Sequence, residues 1–116
     1  MRNFRKIRVW QRAHALAIAL DKLTRGFRRK GYSDLRAQLT RAAKSVAANI
    51  VEGCAAVSNK DFARFLGMSI DSANETEYHL LTAHDLDLIS PEDYHKHTAE
   101  TIEVRKMIIG YRKTLL

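Results

Sequence analysis

Residues 49–66 of the chain have the sequence NIVEGCAAVSNKDFARFL. The first half continues an apolar, alanine-rich run, yet it contains the polar residues Asn49 and Glu52 and then Gly53. A glycine after a helical run is typical of a helix end, and a serine followed three residues later by an acid is typical of a helix start. The stretch therefore predicts a helix that stops at Gly53, a short link, and a new helix capped by Ser58.

Outward from this stretch, hydrophobic periodicity and end signals predict four helices, at about residues 9–27, 33–52, 59–89 and from 91 nearly to the end. Ser33 is the expected cap of the second helix, and Ser90-Pro91 marks the start of the fourth. The sequence has no strand-like alternation and no internal repeat. Long helices joined by short links predict a single all-α domain over residues 1–116, an antiparallel up-down-up-down four-helix bundle.

Several polar residues fall on the predicted core side. Asn49 lies in the apolar seam of the second helix, where one buried asparagine can set helix register; alternatively, the helix end is solvated and Asn49 faces water. In an antiparallel bundle the start of the first helix lies beside the end of the second. We therefore hypothesise that the Trp10 indole N–H donates to Asn49 or Glu52. On the third helix, Glu77 is expected to be a buried structural hydrogen-bonding residue and His84 a core histidine.

The net charge of +7 is unevenly distributed. Residues 1–60 hold 14 Lys and Arg against 3 Asp and Glu, a balance of +11, whereas residues 61–116 have a balance of −4. Clustered cations favour phosphate binding that is salt-dependent and weakly sequence-specific; the alternative is a solvated surface. No recognition helix, aromatic RNA-binding pair or zinc finger is visible. The candidate nucleic-acid-binding residues are Arg5, Lys6, Arg8, Arg12, Arg28, Arg29, Lys30, Arg36, Arg41 and Lys44.

Two helices carry more apolar surface than one core stripe requires. The back of the second helix is small and partly apolar, and the fourth helix has two apolar arcs. The first arc contains Ile102, Ile109 and Leu116, and the second contains Val104, Ile108, Tyr111 and Leu115. The surplus favours self-association, because exposed apolar surface usually marks an interface. The alternative is a wide core stripe on a small bundle.

Signatures of catalysis and of cofactor binding are weak. The chain has no phosphate-cradling glycine loop and no nucleophile elbow. Only Glu92 and His95 have the Glu-x-x-His spacing of a di-iron bundle, which needs two such pairs. We therefore expect no catalytic residue, no metal and no cofactor; a metalloenzyme is the third and least favoured functional class.

Features of the chain also bear on its location. Cys54 is the single cysteine, which excludes an intrachain disulfide and fits a reducing cytosol. The apolar run at 13–20 imitates a secretory signal, but Asp21 and Lys22 follow it at once and no small-residue cleavage site is evident. No apolar stretch is long enough to cross a bilayer. We expect a cytoplasmic protein with no membrane partner.

Four stretches together resemble one known family. VWQRA at 9–13, QLTRAAKSVAANIVEG at 38–53, SNKDFARFL at 58–66 and SANETEYHL at 72–80 resemble the bacterial 23S rRNA intervening-sequence proteins, also called ribosomal-protein-like. The resemblance implies an up-down four-helix bundle. It also implies a relation to the accessory variability proteins of diversity-generating retroelements, and through them a homopentameric ring that binds nucleic acid.

The sequence departs from the family pattern at two points. The family usually has an aromatic-Pro pair after the first helix and a proline inside the second. Here Arg28 follows Phe27, and Ala47 stands at the helix position. We expect a straighter second helix and a more basic first turn.

These observations predict a non-catalytic homo-oligomer, a pentamer by resemblance, with no assigned physiological role. It would bind RNA or DNA non-specifically as a structural or accessory factor, beside a nucleic-acid-processing protein. The alternative is a protein-interaction scaffold whose basic half docks on the acidic half of a neighbour. Cations on an open face favour nucleic acid. Cations across a subunit interface from the acidic residues Asp85, Asp87, Glu100 or Glu103 favour the scaffold.

Overall fold

The computed structural model describes residues 2–116, and within that range all regular structure is helical. The four α-helices are α1 (Arg8–Leu23), α2 (Ser33–Cys54), α3 (Asn59–Asp85) and α4 (Pro91–Thr114). Short 3₁₀ turns at Phe4–Lys6 and Arg28–Lys30 precede α1 and α2. The molecule measures 45 × 20 × 20 Å. The predicted all-α class is confirmed. No helix of this range has the length and hydropathy that a membrane span requires.

Consecutive helices run antiparallel. In each contacting pair, an early position on one helix meets a late position on the other. Such contacts are Arg36 with Asp21 between α2 and α1, Gly53 with Phe62 between α2 and α3, Arg112 with Ala63 between α4 and α3, and Arg12 with Met107 between α1 and α4. Because α4 also contacts α1, the four helices close into a bundle around one core, as predicted.

The core draws large side chains from every helix. Leu20 of α1, Leu39 of α2, Leu66 of α3 and Ile108 of α4 are completely buried. Burying a side chain of this size contributes about 1.5–3 kcal/mol to stability. The α1–α2 corner packs onto the same core through Phe27.

Gly53 does not end α2, so that prediction is wrong. The helix continues to Cys54, and Gly53 is buried inside it against the first turn of α3. A Cβ placed on Gly53 would lie 2.5 Å from Cδ1 and 2.8 Å from Cε1 of the Phe62 ring, closer than real Cβ contacts allow. The glycine is therefore required for the close approach of α2 and α3.

Two serine caps are confirmed, and one is not. The side chains of Ser58 and Ser90 accept hydrogen bonds from the backbone N–H groups of Asp61 (3.1 Å) and Asp93 (3.0 Å). Ser33 is instead the first helical residue of α2, and the residue before it, Tyr32, makes no side-chain cap bond.

Two helix ends come earlier than expected. α1 ends at Leu23, and Thr24 caps it: the Thr24 hydroxyl donates to the Leu20 carbonyl (2.9 Å), and the chain then turns. α3 ends at Asp85, where Asp87 adopts a left-handed conformation with φ of 59°. The N–H groups of Asp87 and Leu88 then donate to the carbonyls of His84 and Ala83, the pattern of a Schellman motif.

We predict that Gly53→Ala destabilises the protein, because the added methyl group must displace a buried ring. Alanine has the higher helix propensity by about 1 kcal/mol, whereas overpacking costs about 1–3 kcal/mol, so the free energy of unfolding should fall by up to about 2 kcal/mol. The matched control is Gly110→Ala, at an exposed position of α4 with nothing within 4 Å of the new Cβ. This control should gain about 0.5–1 kcal/mol.

Urea unfolding followed by circular dichroism measures both variants. A Gly53→Ala protein as stable as Gly110→Ala would show that the Phe62 ring moves aside at no cost, and would contradict the steric role of Gly53.

Candidate nucleic-acid interface

The candidate cations occupy the α1–α2 half of the bundle, but they do not form one patch. The amino-terminal cluster is Arg5, Lys6 and Arg8, and the corner cluster is Arg28, Arg29 and Lys30. The first cluster lies where α1 begins, and the second lies in the turn between α1 and α2. The 16 residues of α1 separate them by about 24 Å, at about 1.5 Å per residue.

Eight of the ten candidate cations are exposed and form no ion pair within residues 2–116. They are the two clusters together with Arg41 and Lys44, here called the α2 pair, on the outer side of α2. The Arg5 guanidinium lies over the Phe4 ring, 4.7 Å from its centroid, which restrains the side chain. Exposed cations that no carboxylate neutralises are available to phosphates.

Arg12 is engaged with α4 at a partly exposed position. Its Nε and Nη2 both donate to the Glu100 carboxylate, at 3.1 and 2.5 Å, and Nη1 donates to the Met107 sulfur at 3.3 Å. The hydrogen bond to Glu100 is the main reason that the pKa of the Arg12 guanidinium is raised above its usual value. Arg12 therefore joins α1 to α4 rather than adding to an open basic surface.

Arg36 is also engaged, at the opposite end of α1. Its Nη2 donates to Oδ1 of Asp21 (3.1 Å), and Oδ2 of the same carboxylate lies 3.8 Å from the guanidinium of Arg25. Asp21 thus holds two arginines at the α1–α2 corner. Within residues 2–116, the Nε of Arg36 is buried and has no hydrogen-bond partner.

Asn49 takes part in a polar seam between α2 and α3. Its side-chain amide donates to the carbonyl oxygen and the hydroxyl of Ser45, at 2.9 and 3.0 Å. The Ser72 hydroxyl on α3 donates to the same Ser45 hydroxyl at 2.8 Å, and Ser69 donates to the Val46 carbonyl at 2.6 Å. Small hydroxyl side chains satisfy one another here and let the two helices pack closely.

The predicted bond from Trp10 to Asn49 or Glu52 is wrong. Among the described residues, the Trp10 indole N–H donates to neither, and Glu52 is exposed. The Trp10 ring instead stacks on His14 at 5.0 Å and meets the edge of Phe4 at 4.8 Å. The physical reason is that Ser45 of the same helix satisfies the Asn49 amide, and the bond from Ser72 to Ser45 places this group on the face of α2 that packs against α3.

The polar residues of the α3 and α4 half differ from the expectations in burial. Glu77 accepts a hydrogen bond from Arg105 (2.5 Å) but is half-exposed rather than buried. His84 is also half-exposed, beside Asp85. The buried histidine is His97, with 8% of its surface accessible. Burial lowers the pKa of His97, and the neighbouring Lys96 lowers it further.

Cys54 is buried at the end of α2, and this burial raises the pKa of its thiol. A thiol with a raised pKa is protonated at neutral pH and is a poor nucleophile. Within residues 2–116, no three histidine, cysteine or acidic side chains converge as metal ligands would.

Arg25 lies outside the ten candidate residues, although it belongs to the same basic stretch as the corner cluster. With Arg28, Ser33, Arg36 and Ala37 it lines an open recess of about 340 Å³. The sequence signal was the spacing of Asp21 and Arg25 at i,i+4, which predicts their contact on one helix face. The meeting of Arg36 with the same carboxylate depends on how α2 packs, and no local pattern predicts it.

The chain is similar to known proteins over nearly its whole length. Residues 5–110 match the sequence model of a family described as 23S rRNA-intervening sequence protein. The chain belongs to this family. It is also similar to the crystal structure of a protein of unknown function from the S23 ribosomal protein family of Bacteroides thetaiotaomicron. The identity is 26%, the TM-score is 0.84, and the match covers 90% of this chain and 95% of that chain. Among curated proteins, none matches the chain significantly.

Membership of the 23S rRNA-intervening sequence protein family confirms the resemblance predicted from the four sequence stretches. The similar structure from Bacteroides supports the all-helical architecture along nearly the whole chain. Neither the family description nor the description of that structure names a catalytic activity.

We predict that Arg12→Gln lowers stability and that Arg8→Gln weakens nucleic-acid binding, although the two residues are one helical turn apart. Arg12→Gln removes the half-exposed pair with Glu100 and should lower the free energy of unfolding by about 0.5–1 kcal/mol. It should leave nucleic-acid affinity close to wild type. Arg8→Gln should leave stability unchanged and weaken nucleic-acid binding. Urea unfolding and fluorescence anisotropy with labelled RNA measure the two effects. Weaker RNA binding by Arg12→Gln at unchanged stability would contradict its assignment to the bundle.

Proposed function

We propose that this family member is a non-catalytic, cytoplasmic homo-oligomer that binds RNA or DNA non-specifically. It would act as a structural or accessory factor beside a nucleic-acid-processing protein. The observation that carries the proposal is the set of eight exposed cations without ion-pair partners, all on the α1–α2 half. Their clustering favours phosphate contacts over base contacts, so the affinity should be salt-dependent and tolerant of sequence.

The separation of the two clusters supports an extended ligand. Cations about 24 Å apart along α1 can contact phosphates well separated along one strand or duplex, which a small anion cannot do. The remaining ten Lys and Arg residues include Arg64 and Arg105, which are paired with acids of α3. Because residues 1–60 have a charge balance of +11 and residues 61–116 of −4, attraction for a polyanion is concentrated on the α1–α2 half.

Self-association is the second part of the proposal. The first apolar arc of the fourth helix is partly open to solvent, because Ile109 and Leu116 are exposed. Tyr78 and Leu81 of α3 are exposed as well. Apolar surface of this kind favours a protein interface. The resemblance to ring-forming proteins favours a pentamer. A pentamer would carry five times the net charge of +7, or +35, and would strengthen the field at the nucleic-acid surface.

The binding proposal predicts micromolar, salt-dependent association with unrelated RNA and DNA sequences. Replacing the amino-terminal cluster or the corner cluster with glutamine should lower the magnitude of the slope of log K against log salt. The expected decrease is about 0.7–0.9 for each phosphate that the variant no longer neutralises. Fluorescence anisotropy titrations at several salt concentrations measure the slope.

The matched control replaces Lys96, Lys106 and Lys113 with glutamine. These three exposed cations lie on α4, so the control removes the same amount of charge from the other half. Its slope should stay close to wild type. Absence of binding at low salt, or equal decreases of the slope in the control and in both cluster variants, would count against the proposed interface.

The oligomer proposal predicts a mass in solution above that of one 13.3 kDa chain. Placing a charge on the apolar surface, as in Ile109→Glu together with Leu81→Glu, should reduce that mass, because charged groups resist burial. Val57→Glu is the control, since Val57 is a fully exposed apolar residue in the α2–α3 link. Light scattering after size exclusion measures the masses. A monomeric wild-type protein would exclude the ring.

A protein-interaction scaffold without a nucleic-acid role is the second candidate function. The observation that favours it is the opposite charge of the two halves, together with the small outer face of α2, where Ala37 and Ala48 lie beside the α2 pair. On this alternative, Arg41 and Lys44 meet acidic residues of a neighbouring subunit. Oligomerisation that weakens with salt, without RNA or DNA binding, would favour the scaffold.

A further inference from the structure

The recess at the α1–α2 corner has a composition unlike the other basic surfaces. The guanidinium groups of Arg25, Arg28 and Arg36 line it together with the Ser33 side chain. Its volume of about 340 Å³ is at the lower end of the range of small-ligand sites, about 300–1,000 Å³. The amino-terminal cluster has no comparable concentration of arginines, because the recess beside it is lined by Lys6 and Arg8 together with mostly apolar residues of α1 and α4.

The charges of the recess are only partly neutralised. One carboxylate, Asp21, serves two of the three guanidiniums, which leaves a local net charge of +2. Asp34 also belongs to the first turn of α2, but it does not line the recess. Asp21 leaves most of the guanidinium N–H donors unused, since each guanidinium carries five.

One of the unused donors is buried. The Nε of Arg36 has no hydrogen-bond partner within residues 2–116, and an unsatisfied buried donor is destabilising. The Ser33 hydroxyl and the uncapped first turn of α2 provide further donors on the same side, although the guanidiniums supply most of the donors and all of the charge.

We propose that this recess binds a phosphate group. Several planar guanidinium forks around one recess suit a tetrahedral anion with many acceptor oxygens better than they suit a single carboxylate. The phosphate could belong to a nucleic-acid strand or to a small phosphate compound. The nucleic-acid source rests on the proposed function, whereas binding of the phosphate group does not.

The first test is calorimetric titration with inorganic phosphate and pyrophosphate at constant ionic strength, with chloride as the balancing anion. Wild type should bind saturably and should melt at a higher temperature as phosphate rises. Arg25→Gln should bind about tenfold more weakly or worse, because it removes a charge-assisted donor. Lys22→Gln is the matched control, because it removes one exposed positive charge near the end of α1, outside the recess and outside both clusters, and it should bind like wild type.

Arg25 is largely exposed and its contact with Asp21 is long, so Arg25→Gln should fold normally, and its circular dichroism spectrum checks this. Arg28→Gln is the second variant and should weaken binding in the same direction. No saturable phosphate binding by wild type, or equal binding by Arg25→Gln, Arg28→Gln and Lys22→Gln, would overturn the proposal.

The second test separates the two sources of phosphate. A short single-stranded oligonucleotide is added as a competitor, with and without a 5′-phosphate. Competition by both forms identifies a strand phosphate, and competition by the phosphorylated form alone identifies a terminal phosphate. If inorganic phosphate binds but neither form of the oligonucleotide competes with it, the recess binds small phosphate compounds. That result would contradict only the nucleic-acid source of the phosphate. RNA binding without any phosphate binding overturns the site and leaves the proposed function intact.

Discussion

The contact between Gly53 and the Phe62 ring is the constraint on which the rest of the bundle depends. Phe62 of α3 is completely buried and touches three other parts of the chain. Its ring packs against Gly53 of α2, meets the edge of Tyr111 of α4 at 5.5 Å, and lies under the Arg2 guanidinium at 4.6 Å. Because a side chain at position 53 would separate α2 from α3, one missing Cβ allows the helix hairpin, the carboxyl-terminal helix and the amino-terminal segment to meet at one end of the bundle.

This arrangement determines where the positive charge lies. The backbone N–H of Arg2 donates to the Cys54 carbonyl, which fixes the amino-terminal segment at the same end as Phe62. The amino-terminal cluster is therefore positioned there, while the corner cluster is held at the other end of α1. Arg12 is engaged with Glu100 of α4 and Arg36 with Asp21 of α1, whereas the α2 pair stays open. The positive surface therefore consists of separate open groups of cations with paired arginines beside them, and it is not one uniform layer.

Local sequence patterns predicted those features of the structure that form between residues close together in the chain. The caps at Ser58 and Ser90 were predictable because each bond closes within three residues. The fold class was predictable because four apolar stripes with short links have few ways to pack. The early end of α3 was missed because the left-handed position is occupied by Asp87, which signals a helix end less strongly than glycine does. The partner of Trp10 was missed because the Asn49 amide is satisfied by Ser45 of its own helix, on the face that packs against α3.

The sequence by itself determined the helices, their antiparallel order, the family and the separation of basic from acidic residues. Periodicity, capping and composition are properties of neighbouring residues, and so a sequence displays them. The tertiary structure alone decided which cations stay open to a ligand. The engagement of Arg12 with Glu100 and the grouping of Arg25, Arg28 and Arg36 in one recess both depend on side chains far apart in sequence or on different helices. Such contacts depend on how the helices are oriented and how closely they approach. At the α2–α3 contact, Gly53 and Phe62 set that distance.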